Sequence, residues 1–136
     1  LWAGFGSQML PVTSSFNAAT TLSVYAGKVD PWTASVLAIN KTGSAVTADI
    51  HIEGAPSLLL NGTADVVRAN SLDSQTVTFN GVSNPSDDLS NAPPQSLTVL
   101  TNPLPYTFPP YSITLLTIGL DEFVATDWVY LPSIMH

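Results

Sequence analysis

From residue 21 onward the chain falls into short runs in which apolar and polar positions alternate. Leu22, Val24 and Ala26 alternate with Thr21, Ser23 and Tyr25, and Val46, Ala48, Ile50 and Ile52 alternate with Thr47, Asp49, His51 and Glu53. A period of two sends one row of a strand into a core and the other toward water. Between these runs, "TASVLAIN" (33–40) is almost continuously apolar, the pattern of a central strand covered on both faces. The polar "NKTGSA" that follows reads as a turn joining two antiparallel strands into a hairpin. "TADVVRA" and "QTVTFNG" read as weaker strands, and "SLTVLTN" and "YSITLLTIG" as strong ones.

The eleven prolines fall almost wholly between these runs, where a missing N–H breaks no ladder. No long stripe of period 3.6 is present, so no helix is expected. Short strands punctuated by turns predict an all-β fold, an antiparallel two-sheet β-sandwich of about seven to nine strands, Ig-like or jelly-roll-like. Residues 1–20 lack alternation and read as a lead-in, 21–120 as the sandwich, and 121–136 as a tail rich in aromatic residues. In that tail, 128–131 are expected to add an edge strand or form an interface.

Composition narrows the chemistry. The 136 residues suffice for one domain with a real core. Charged residues make up 10%, against about a quarter in ordinary domains, so Ser, Thr, Asn and Gln are expected to cover the surface. Net charge is −7, with Lys28, Lys41 and Arg68 the only Lys and Arg. Three scattered cations do not make a nucleic-acid footprint, and they disfavour an anionic membrane as partner. No apolar run approaches the roughly 20 residues of a membrane-spanning helix. Without cysteine there is no disulfide, thiolate metal site or Cys nucleophile. A start at Leu1 reads as a mature or processed piece of a longer product. Two sequons, Asn40-Lys41-Thr42 and Asn61-Gly62-Thr63, mark Asn40 and Asn61 as glycosylation candidates and point to a secreted, extracellular glycoprotein.

Candidate chemistry is sparse. Glu53 and Glu122 are the only glutamates. A glycosidase needs two carboxyl groups about 5–5.5 Å apart for retention or about 6.5–9.5 Å for inversion, and nothing in the pattern brings this pair together. His51 lies on the polar row of its run and His136 ends the chain, so neither is positioned for a Ser-His-Asp triad. Asn84, Asp87, Asp88, Ser90 and Asn91 put hard oxygen ligands on a long loop, without EF-hand spacing, and no metal or other cofactor is expected. Trp32, Tyr25, Trp128 and Tyr130 are the candidate stacking platforms for a sugar. Trp32 is the most plausible exposed indole, because "DPWT" places it in a turn; closing the sandwich ends is the other use for such rings.

Three quoted pieces carry a family resemblance. A strand ending in Asn is followed by a turn and an alternating strand, "LAIN", "KTGS" and "AVTADIHIEG". A run with Asn-Ser-x-Asp and Asn-Pro comes next. Pro109, Pro110, Tyr111 and Ser112 then lead into the closing strand. This order resembles the C-terminal β-sandwich that follows the catalytic barrel in clan-A glycoside hydrolases, most like the family 51 α-L-arabinofuranosidases, with related accessory domains in families 30, 39, 44 and 79. The resemblance covers roughly residues 21 to 120. It implies a non-catalytic domain or processed subunit of a secreted, fungal glycoside hydrolase, with a barrel domain or second chain as partner. The family's catalytic glutamates sit on the barrel, so the resemblance places none in this chain. The alternative is a self-contained carbohydrate-binding or cell-surface-recognition glycoprotein, lectin-like or immunomodulatory.

Overall fold

The structure is a computed structural model that describes residues 6, 8–17, 19–30, 32–52, 59–86 and 90–120 and the backbone of 134–135. Among the described residues there is no helix. Seven strands of three or more residues are β1 (Gln8–Leu10), β2 (Leu22–Asp30), β3 (Thr33–Asn40), β4 (Val46–Ile50), β5 (Asn61–Arg68), β8 (Leu104–Phe108) and β9 (Ser112–Gly119). Three more have two residues each: β6 (Thr78–Phe79), β7 (Gln95–Ser96) and β10 (Ile134–Met135). They form two antiparallel sheets. The larger runs β1-β2-β3-β9-β5-β6, with β7 also paired to β5, and the smaller runs β10-β4-β8.

The β-sandwich expected from the alternation is therefore present, and its core follows the period-two rule. Leu22, Ala26, Ala34, Val36, Leu116 and Ile118 line the inner face of the large sheet. Ala48, Ile50, Leu104 and Phe108 meet them from the small sheet. The continuous apolar run of β3 is buried on both faces, because Leu37 pairs on the outer side with Leu115 of β9 as a second small cluster. Such double burial is what a central strand requires, and β3 sits between β2 and β9.

Three expectations are corrected. The "NKTGSA" segment does not close a hairpin. β3 belongs to the large sheet and β4 to the small one, so the segment crosses between layers. The cause is Asn40. Its side chain is 1% exposed, and Nδ2 donates to the carbonyl oxygens of Ser44 (2.9 Å), Phe108 (3.2 Å) and Pro109 (2.9 Å). Its Oδ1 accepts from Thr42 N at 3.0 Å and Thr42 Oγ1 at 2.8 Å. The amide thus pins the start of the crossover to the proline corner, where Ser112 Oγ also donates to Pro109 O at 2.6 Å. "SLTVLTN" is not a strand. Its leucines, Leu97 and Leu100, pack on the core, Leu97 N donates to Gly62 O, and Val99 stays exposed. The following strand is instead β8, which contains Pro105; as an edge strand it tolerates a missing donor. Finally, the lead-in holds a strand, β1, on the edge of the large sheet. The edge strand expected at 128–131 lies outside the described residues, while β10 pairs its backbone with Asp49 and Ile50.

Candidate functional site

The large sheet extends beyond the small one, and the difference creates an open cleft. Register pairs Arg68 with Thr78, Ala64 with Gln95 and Val66 with Thr114. Directly paired residues point to the same side, so these positions share the inner face. The small sheet ends at β8, leaving this β5–β6–β7 margin uncovered. The result is a hollow of about 680 Å³ bounded by Arg68, Thr78, Gln95, Tyr106 and Thr107, with Pro93 and Pro109 on its walls. A smaller hollow of about 240 Å³ adjoins it along β8, sharing Gln95, Tyr106 and Thr107, and the two are together termed the groove along β8.

Each wall has a local cause. Asn80 and Gly81 form a two-residue turn between Phe79 and Val82, which exchange both backbone hydrogen bonds at 2.9 and 3.0 Å. Their φ angles are 49° and 85°, the left-handed values such a hairpin needs. The Asn80 side chain accepts from Val66 N at 2.7 Å and donates to Asp65 Oδ1 at 2.9 Å and Ala92 O at 3.0 Å. It is therefore a brace that fixes the cleft margin. Tyr106 projects from β8 with its ring tilted against Phe108, the centroids 4.9 Å apart. Burial pushes its phenol above the ordinary range, so the group is a neutral donor at neutral pH. Thr107 and Thr47 share a hydroxyl hydrogen bond of 2.9 Å across β8 and β4. Arg68 is exposed and makes no ion pair or side-chain hydrogen bond among the described residues.

The residues singled out from sequence do not gather here. Trp32 is 61% exposed in the turn between β2 and β3, as its "DPWT" context predicted, with its N–H donating to Asp30 Oδ1 at 2.8 Å. Tyr25 lies on the outer face of the large sheet, paired with Leu37. Five strand residues separate Tyr25 from the turn, about 16 Å, so the two rings do not flank one sugar ring. Trp128 and Tyr130 lie outside the described residues, as do Glu53, Glu122, His136, Asp87 and Asp88. In the oxygen-rich loop, Asn91 Oδ1 accepts from Ser86 N at 2.8 Å and Ser86 Oγ at 3.1 Å. Among the described residues no group of three or more His, Asp or Glu gathers.

The sequons separate sharply. Asn40 is buried in the folded chain, with its side-chain nitrogen donating to three carbonyls. Asn61 is exposed at the start of β5, its side chain lying over Gly119, where a Cβ would collide with it. Sequence reasoning missed the cleft, although Asn80-Gly81 is one of two "NG" hairpin signals in the chain and Arg68 its only arginine.

No protein-family model matches the sequence, and no curated protein matches it. Solved structures do. An arabinose-bound α-L-arabinofuranosidase, MgGH51, superposes with a TM-score of 0.56 and 16% identity over 89% of this chain and 18% of its own. The fold is one that glycoside hydrolases contain. The α-L-arabinofuranosidase of Thermotoga maritima, also with arabinose, gives a TM-score of 0.52 and 16% identity over 77% of this chain and 20% of its own. A family 44 xyloglucanase from Paenibacillus polymyxa gives 0.48 and 18% identity over 73% and 17%. This chain thus spans a fifth or less of each enzyme's length.

Proposed function

We propose that this chain is a non-catalytic sandwich of a secreted glycoside hydrolase, packed on a catalytic barrel in the same polypeptide or in a companion chain. The observation that carries the reading is the disproportion of the match. Nearly the whole of this chain corresponds to a small part of an arabinofuranosidase. The outer face of the large sheet supports it. Tyr25 and Ile113 are partly exposed there around Leu37 and Leu115, and Met9 at its β1 margin is 60% exposed. Beside them Leu72 and Val77 line a shallow hollow with Ile113 and Tyr111. Apolar side chains at this density on one sheet face suit a protein contact. The barrel, whose substrate this chain does not define, would supply the carboxyl pair of hydrolysis.

Isolation of the native material without denaturant tests the reading. The expected result is a glycoside hydrolase barrel covalently or tightly attached to this sequence, and no hydrolysis of aryl glycosides by the 136-residue chain alone. A species of 14.3 kDa plus any glycan, with no barrel associated, overturns it.

A second reading, a self-contained carbohydrate-binding protein, is favoured by the exposed indole of Trp32. Loss of glycan binding in Trp32→Ala would support it.

A further inference from the structure

The groove along β8 has a composition that singles out one ligand chemistry. It contains a single full charge, the guanidinium of Arg68, and otherwise only neutral donors and acceptors: Thr78, Gln95, Ser96, Tyr106 and Thr107. In a chain with ten acidic and three basic residues, a cation is expected to collect a carboxylate, yet Arg68 makes no ion pair among the described residues. Its volume lies within the range of about 300–1,000 Å³ usual for small-molecule sites. Pro93 and Pro109 offer flat apolar faces to a ligand's C–H surface.

A ligand complementary to this surface places one carboxylate at Arg68 and hydroxyls along the rest of the groove. Polyphosphates and nucleic acids do not fit, since their binding needs several clustered cations and the groove has one. A neutral saccharide would leave the guanidinium without its best partner. We propose that the groove binds an acidic saccharide, with Arg68 holding a hexuronate carboxylate through paired N–H donors and the hydroxyls meeting Thr78, Gln95 and Tyr106. Arg is suited to this task because its planar fork matches a carboxylate at two points. The groove opens on the inner margin and the docking face is the outer one, with Arg68 on the rim they share; sugar binding is read on the isolated chain, so its failure and the failure of the docking are distinguishable.

Titration of the full chain with oligogalacturonate and glucuronate-containing xylo-oligosaccharides, against their neutral counterparts, tests it by calorimetry or NMR shift mapping. The expected result is preference for the acidic sugars, with shifts at Thr78, Gln95 and Tyr106. Arg68→Gln should weaken that binding by about tenfold or more, as loss of a charge-assisted pair implies. Arg68→Lys should retain part of it, and Lys28→Gln, which removes a cation from β2 at the other side of the sheet, should leave it unchanged. Because Arg68 is exposed, Arg68→Gln should keep the parent's circular dichroism and melting point. Equal binding of neutral and acidic sugars, absence of binding to any uronate by the folded chain, or tighter binding of an acidic peptide each overturns the proposal. So does loss of binding in Trp32→Ala with Arg68→Gln unaffected.

Discussion

Asn40 shows how a single side chain settles a topology. Five hydrogen bonds converge on its amide, and three of the partner groups lie on segments that would otherwise be free to diverge. Replacing it by Ala leaves buried carbonyls of Phe108 and Pro109 without that donor. A loss of about 2–4 kcal/mol is expected, because each orphaned buried group costs about 1–3 kcal/mol. Urea unfolding followed by fluorescence measures it, and a loss below 1 kcal/mol, about the net worth of one hydrogen bond, would show that water replaces the brace. The same burial predicts the glycan pattern: peptide mapping of the chain expressed through a eukaryotic secretory host should find sugar at Asn61 and none at Asn40. Tyr106 supplies a pH signature. Its folded phenol titrates above the ordinary value of 10.0 because burial disfavours the anion. Its contribution to stability is therefore complete below pH 10 and disappears as pH rises from there through the raised folded value. Tyr106→Phe should flatten the alkaline limb of a plot of urea midpoint against pH.

Among the elements, what could be read from sequence was what depends on alternation. β2, β3, β4 and β9 follow their hydrophobic patterns almost residue by residue, because each has a row facing one shared core. The segments misread were those whose fate is set by a distant polar partner or a neighbouring edge. "SLTVLTN" has the composition of a strand, but its leucines are drawn onto the core above Gly62, where a Cβ would meet Leu97. The β3–β4 connection looked like a hairpin because nothing local betrays that Asn40 bonds residues 68 and 69 positions away. The cleft was hidden for a similar reason: it exists because one sheet is wider than the other, a property of no single segment. Its turn did leave a local trace, the Asn80-Gly81 pair, although "QTVTFNG" read as a strand through both. Gly81 has φ +85° with open space where a Cβ would stand, so Gly81→Ala meets no clash and suffers only the backbone penalty of the left-handed region. A loss of about 1–2 kcal/mol is expected. A neutral result in thermal unfolding would mean that the Asn80 side chain alone holds the turn.

At the level of the whole molecule, the two faces of the large sheet have different fates. The inner face makes the core and, where the small sheet stops, the groove. The outer face carries the apolar pair Leu37 and Leu115, flanked by Tyr25 and Ile113, with Leu72 at 71% exposed and Val77 nearby. A chain of net charge −7 gains solubility from its charge, yet charged groups are scarce on this outer face, where the described strand positions are mostly Ser, Thr and apolar residues. Such a face is stable only in company, or at the cost of some self-association. The triple substitution Leu72→Ser, Val77→Thr, Ile113→Thr alters partly or fully exposed outer positions and leaves Leu37, Leu115 and the inner core untouched. The isolated chain carrying it should bind less of a hydrophobic dye and show less concentration-dependent sedimentation than the parent, at a cost of roughly 1 kcal/mol in stability or less. Under the proposed docking, the same substitutions in the intact source protein should loosen the sandwich from the barrel, seen as faster proteolytic release. If dye binding and sedimentation stay unchanged, the outer face is not the sticky surface, and the exposed end formed by Trp32 and Leu60 beside Leu120 becomes the better candidate for the contact.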